Sequence, residues 1–334
     1  MKNFKFIVIK IKSLFLPCTI CIFILFLLIF SKSNLNAAKS GLLLWANSVI
    51  PSLLPFFIAT ELLSHTGIIP ILGKLLNKFM RPIFNVPGEG AFALLMGIIS
   101  GYPVGAKIVC NLKEQNLCTP VEAERLLAFT NNSGPLFIIG TVGCGMFFSP
   151  TIGIILFISH LLGSLTVGFL FRWWGKQKEK SLRNSETLLH TETLSFCNLG
   201  EALSKSIINS INTVLLIGGF VVLFSIIISI FQTSNLLSLI ANIFSIINIP
   251  EFVTVSILSG LIEVTNGISF ISNLSECSFI TQLLLSSFVL GFGGFSVLMQ
   301  VLSITSKAKI SIKPYFYGKI LQALFGTLYI VLLI

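Results

Sequence analysis

The residues of this chain that could do chemistry are polar groups set in strongly apolar surroundings. Glu263 opens the run EVTNG, several residues into an apolar stretch, with Thr265, Asn266 and Gly267 close behind. The run TNNSGP sets Asn131, Asn132 and Ser133 ahead of Gly134 and Pro135, and GYPVGAK places Tyr102 between Gly101 and Pro103, followed by Gly105 and Lys107. A fourth run, GFGG, contributes Gly291, Gly293 and Gly294. Ionisable groups inside apolar helices are costly, so Glu61, His160 and above all Glu263 are candidates for function. Glu263 could bind a hydroxyl or amine, a cation, or a proton. Adjacent amides and a carboxylate are poor packing material, which favours solute contact for NNSGP and EVTNG, whereas small residues are standard at helix contacts, which favours packing for GFGG. Glu61 also suits a helix end, His160 a neutral hydrogen bond across a bundle, and Lys107 either an anion contact or a charge snorkelling to the interface. Asn47 with Ser48, and Asn209 with Ser210, fit interhelical hydrogen bonding and solute contact equally well.

Other chemistries lack their residues. No Ser or Cys sits in a nucleophile motif with a His base, and no phosphate-binding or dinucleotide fingerprint is present, so the sequence does not read as an enzyme and implies no cofactor. His65, His160 and His190 have no second ligand at helical spacing, so no zinc or iron site is expected. The seven cysteines are scattered and odd in number, and the Cys18–Cys21 pair lies within an apolar segment, which gives no disulfide framework.

The elements that must position these groups are membrane helices. Charged residues make up 10% of the chain against about 25% in soluble domains, and the mean hydropathy is +0.96. The apolar stretches are long and continuous rather than alternating, which excludes a β-barrel and predicts an all-α integral membrane protein with a lipid bilayer as its surroundings. The net charge of +10 lies in short stretches between apolar segments, so it reads as topology signals rather than as a nucleic-acid surface. Residues 1–40 read as an N-terminal signal anchor, because the apolar run Ser13 to Phe30 exceeds a secretory core and Asn36 spoils a cleavage site at Ala38. A crossing from Gly41 to Leu63 follows, then a basic amphipathic stretch with Lys74, Lys78 and Arg81 that suits the interface. Two interrupted segments and a clean run from Phe147 to Phe171 complete the first half. A charged stretch over 173–200 reads as a cytoplasmic connector.

The second half repeats this order. NSVIPSLLPFF from Asn47 resembles NSINTVLLIGGF from Asn209, IISGYPVG resembles LIEVTNG, and AFTNNSGPLFI resembles SFVLGFGGFSV, in the same order at nearly one offset. Residues 41–172 and 201–334 are therefore expected to be two repeats. Corresponding loops differ in charge: Lys74, Lys78 and Arg81 have no basic counterpart between Gln232 and Pro250, while Lys307, Lys309 and Lys313 answer an uncharged GCGMFF. With Lys and Arg gathered on the cytoplasmic side, this pattern predicts inverted-topology repeats with broken or re-entrant helices.

GYPVGAK, AFTNNSGPLFIIGTVG and EVTNG, with their inverted duplication, resemble the nucleoside-recognition or Gate-domain membrane proteins, and over about residues 41–334 the sporulation integral membrane protein YlbJ family. The resemblance implies a multi-pass protein in a membrane of the sporulating bacterial cell, acting in spore cortex or envelope assembly beside other sporulation membrane proteins. It implies a transporter-like function on an unidentified small polar solute by alternating access, with a membrane scaffold for cortex-synthesis partners as the alternative. The expected solute contacts are Tyr102, Asn131, Asn132, Ser133, Glu263, Thr265 and Asn266. The expected backbone breaks lie at Gly101, Pro103, Gly105, Gly134, Pro135, Gly267, Gly291, Gly293 and Gly294.

Overall fold

The structure is a computed structural model that describes residues 2–66, 68–175, 199–244, 246 and 249–334. Among these it is helical, without strands. The first half begins with α1 (Lys2–Ile29) and α2 (Ser31–Leu44), which runs through a π-helical stretch, π1 (Trp45–Val49), into α3 (Ile50–Ser64). There follow α4 (Ile68–Phe84), α5 (Gly90–Ser100), α6 (Val104–Glu114), α7 (Pro120–Thr130), a second π-helical stretch π2 (Leu136–Met146) and α8 (Pro150–Phe171). The second half holds α9 (Leu199–Thr233), α10 (Leu236–Phe244), α11 (Glu251–Ile262), α12 (Val264–Ser272), α13 (Phe279–Phe292), α14 (Gly294–Lys307) and α15 (Lys313–Leu333).

Four stretches among the described residues are long and apolar enough to cross a bilayer: Pro150–Phe171, Leu199–Thr233, Phe279–Lys307 and Lys313–Leu333. Leu16–Ile29 and Ser31–Asn47, bent by 98° at Phe30, make a fifth if taken together. The chain is thus an all-α integral membrane protein with several crossings. The polar stretch SKSNLNAAKSG, expected from sequence to end an anchor, is instead helical in α2 and continuous with π1 and α3. Its small residues explain this, because they let α2 lie close along α9: Ser33 and Ser229 share a hydrogen bond of 2.8 Å, and a Cβ on Gly41 would stand 3.0 Å from Ser225 Oγ. Most of the expected 173–200 connector, including His190 and Cys197, lies outside the described residues.

The element order recurs: long helix, short helix, a pair broken after about a dozen residues, a second broken pair, long helix. The two broken pairs differ in kind. The arms α5 and α6 are 11 residues each, about 16 Å at 1.5 Å per residue, which is half of a hydrocarbon core of about 30 Å. They fold back on one another, since a Cβ on Gly97 would lie 3.3 Å from the Cα of Gly105. The arms α11 and α12 do the same through Gly260 and Gly267, at 3.4 Å. Both pairs are hairpins whose arms pack on one another. In contrast, α13 and α14 continue as one spanning stretch through Gly293.

Contacts between the halves come in exchanged pairs. Helix α6 packs on α14 as α12 packs on π2; α7 packs on α15 as α13 packs on α8; α8 packs on α15, and α3 on α9. Swapping first-half elements for their second-half counterparts returns the same set of contacts, so the halves meet about a two-fold relation.

Candidate functional site

Each of the four expected breaks is a real interruption of helix. Gly101 has φ +81°, a left-handed value at which a side chain is strained, and the peptide to Pro103 is cis. Asn131 leaves α7 in an extended conformation, and the chain resumes helix at Pro135. Glu263 alone interrupts the second hairpin, at φ −144° and ψ 120°. Gly293, at φ +80°, separates α13 from α14. Gly105, Gly267 and Gly291 lie within or at the ends of helices, where they admit close packing. A Cβ on Gly105 would strike the Thr130 carbonyl, and one on Gly291 would stand 2.5 Å from Ala323 Cα.

Each hairpin tip rests on the break of the second broken pair in its own half. A Cβ on Gly101 would lie 3.0 Å from the Gly134 amide nitrogen, and one on Gly294 would lie 3.3 Å from the carbonyl oxygens of Gly260 and Ile262. The first three breaks and the start of α14 then converge on one cavity of about 80 Å³. Its polar wall consists of Tyr102, Ser133, Thr141, Glu263, Thr265, Ser296 and Gln300; its apolar wall includes Leu44, Val49 and Leu53 from the α2–α3 stretch and Ile217 and Val221 from α9.

Glu263 is 3% exposed and is the single charged side chain in this lining. It is also the N-cap of α12: the Thr265 amide donates to Oε1 at 3.1 Å and the Asn266 amide to Oε2 at 2.8 Å. These donors explain how an apolar sequence tolerates a carboxylate here, because the first N–H groups of a helix lack intrahelical partners and carry partial positive charge. Two other cavity groups are buried without a hydrogen-bond partner, the Tyr102 hydroxyl and Gln300 Oε1. Gln300 Nε2 donates to Ser296 Oγ at 3.5 Å.

Asn131 and Asn132 face the other way, into a packed polar network behind the cavity wall. Asn131 Nδ2 donates to the Tyr315 hydroxyl at 3.2 Å, and its Oδ1 accepts from the Ala106 amide at 3.4 Å. Asn132, 1% exposed, donates to the Phe129 carbonyl at 2.8 Å and to Ser164 Oγ at 3.0 Å, and accepts from Gln322 Nε2 at 2.9 Å. Gln322 Oε1 accepts from Lys319 Nζ at 2.8 Å. His160 Nε2 accepts from the Ser133 amide at 3.2 Å and is also approached by Gln322 Nε2 at 3.3 Å. Two N–H donors on Nε2 place the imidazole proton on Nδ1 and make His160 a neutral cross-bundle acceptor. Ser133 joins the two regions, its backbone in the network and its side chain at the cavity.

A third polar cluster lies apart from both. Lys107 Nζ donates to Glu61 Oε2 at 2.9 Å and to Thr213 Oγ1 at 3.4 Å, and Asn209 Nδ2 donates to Glu61 Oε1 at 2.8 Å. Glu61 and Lys107, candidates from different segments, thus partner each other and tie α3, α6 and α9 together. Asn47 lies elsewhere, on an outer groove beside Thr141 and Gly140. Asn266 contributes its backbone to the Glu263 cap and is absent from the cavity wall.

Sequence reasoning passed over Gln300, Lys319, Gln322, Tyr315 and Arg125. The fully buried Arg125 is structural, donating to the Trp174 carbonyl at 2.8 Å and to the Asn85 carbonyl at 2.9 Å. Gln300 had a signal: Phe137 and Thr141 correspond to Ser296 and Gln300 at the offset that pairs Gly134 with Gly293, and all four line the cavity.

Comparison with known proteins gives two matches. A family model described as nucleoside recognition, Gate, matches residues 46–165, which contain π1, α3, the first hairpin and the α7–π2 break. The sporulation integral membrane protein YlbJ of Bacillus subtilis (strain 168) is 40% identical over 318 residues, covering 90% of this chain and 78% of that protein. No solved structure matches.

Proposed function

The chain belongs to the family of the sporulation integral membrane protein YlbJ, and from that footing we propose that it acts in spore formation, in cortex or envelope assembly, by carrying a small polar solute across a membrane of the sporulating cell. The observation that carries this reading is the convergence of helix interruptions from both halves on one cavity holding a buried carboxylate. Irregular backbone persists at membrane depth only where protein or a wet cavity satisfies it, and transporters place such breaks around their solute.

Each half has three crossings, a first long helix, a broken spanning pair and a last long helix, with its hairpin entering and leaving on one side. An odd number of crossings inverts the second repeat relative to the first. The halves rock against one another, and the hairpin tips at Tyr102 and Glu263 gate the cavity. Glu263, Thr265, Ser133 and Tyr102 contact the solute, joined by Ser296 and Gln300, while Asn131 and Asn132 hold the wall in place. Ligand pockets for drug-sized molecules are about 300–1,000 Å³, so a cavity of about 80 Å³ represents a closed state that must open before a larger solute such as a nucleoside enters.

The test is complementation of a sporulating strain that lacks the protein, using Glu263→Gln and Thr265→Val, with membrane abundance measured for each. A lost hydrogen bond to a charged group is worth roughly 1.5–3 kcal/mol, or more than about tenfold in affinity. Heat-resistant spores are expected to fall by about that factor at normal abundance. Full spore yield from both variants would contradict the solute site and favour a scaffold for cortex-synthesis partners.

A further inference from the structure

The cavity's polar groups have a chemical bias. Its one charge is negative, and none of its lining residues is Lys, Arg or His. A carboxylate offers about four acceptor positions, and the caps from Thr265 and Asn266 occupy one on each oxygen. Gln300 Oε1, on a residue 3% exposed, is a buried acceptor with no donor. The remaining polar groups are the hydroxyls of Tyr102, Ser133, Thr141, Thr265 and Ser296, which can turn lone pairs inward. The basic groups nearby are engaged elsewhere: His160 is held neutral by two donors, and Lys319 donates to Gln322 in the packed network. A buried carboxyl group with no basic partner and an orphaned amide oxygen, on residues that line the same cavity, make the pocket oxygen-rich.

We propose that this pocket binds a small monovalent metal cation between the Glu263 carboxylate and the Gln300 side-chain oxygen, with neighbouring hydroxyls completing its shell. Carboxylate, amide and hydroxyl oxygens suit a hard cation. The single formal charge matches a monovalent ion, since divalent calcium draws on several carboxylates and carbonyls. A proton on Glu263 would instead neutralise the charge and turn the carboxyl into an O–H donor, and a site filled that way shows no dependence on the metal ion in the experiment below. Because Glu263 also caps α12, the ion would set the position of the second hairpin tip and so bias its gate. The inference deepens the transport reading and rests on the same cavity, but its test needs no transport.

The experiment uses the purified full-length protein in detergent, with its melting temperature followed as sodium, potassium or lithium chloride replaces choline chloride at constant ionic strength. One of the metal ions is expected to raise the melting temperature saturably in the wild type. The shift is expected to vanish in Glu263→Gln, whose side-chain oxygen still accepts an amide at the α12 cap. Gln300→Ala, which leaves the cap untouched, is expected to need at least about tenfold more ion for the same shift. No saturable shift in the wild type, or equal shifts in all three proteins, would overturn the ion site. Loss of spores in the Glu263 and Thr265 variants without any ion effect would remove the ion and leave the solute site standing; ion binding with full spore yield would do the reverse.

Discussion

At the scale of single residues, burial and partners divide the polar candidates into groups that face the cavity and groups that hold its wall. Glu263 and Asn132 look alike in sequence, each a polar residue beside a glycine break. In the structure the Asn132 side chain is fully committed to Phe129, Ser164 and Gln322, while the Glu263 carboxyl group accepts from two α12 amides and lines the cavity. Asn132→Ala removes the shortest bond of Gln322 Nε2 and leaves it only its 3.3 Å contacts to His160 in a packed interior, at a cost of about 1–3 kcal/mol. It is therefore expected to lower melting temperature and membrane abundance together, whereas Glu263→Gln, which keeps one of the two cap acceptors, is expected to lower them less and to lower function by more than the lost stability accounts for; thermal melts and quantitative membrane blots of the two proteins check this. Glu263 is legible in the sequence because a lone carboxylate in an apolar run is conspicuous. Lys319 is not, because it follows Pro314 within two turns of a helix start, where a lysine usually reaches the interface; only the packing of α15 against α7, α8 and α13 buries it.

At the scale of elements, glycine spacing decides whether a broken pair folds back or carries on. Breaks at all four places can be read from Gly, Pro and amide residues, but which of them are hairpins cannot. The distinguishing feature is a glycine on each side of the turn, Gly97 with Gly105 and Gly260 with Gly267, where the arms touch. A Cβ on Gly267 would strike the backbone of Gly260, whereas one on Gly140 has nothing within 4 Å. Gly267→Ala is expected to destabilise the protein by about 1–3 kcal/mol, as overpacking does, and Gly140→Ala to be tolerated; melting temperatures of the purified variants separate the two. Glu61 and Lys107 stand out separately in the sequence, and their pairing does not, since it depends on α3 and α6 meeting beside α9. Their side chains are 14% and 25% exposed, so the double-mutant cycle of Glu61→Gln and Lys107→Met in thermal stability is expected to show a coupling of about 1 kcal/mol after allowance for solvent screening. Additive effects would mean that the pair contributes nothing to holding α3 against α6.

At the scale of the whole molecule, the duplication is readable from the amino-acid order alone, since three motifs recur in sequence. The boundary at residue 40 is less so: a stretch rich in Ser, Asn and Lys reads as a loop until α9 supplies a surface for its small residues. Three crossings per repeat, as proposed, would place the turn between α6 and α7 on the opposite side of the membrane from the turn between α12 and α13. In a chain with its natural cysteines replaced, single cysteines at Asn116 and Ser275 are expected to react with an impermeant maleimide from opposite faces of sealed vesicles, and reaction from one face would contradict inversion. In the proposed mechanism the cavity opens to each side of the membrane in turn. The most direct test of this is a single cysteine at Thr265 in the same background, in sealed right-side-out and inverted vesicles challenged with an impermeant thiol reagent. Alternating access predicts labelling from both faces; labelling from one face alone, or from neither, would contradict it.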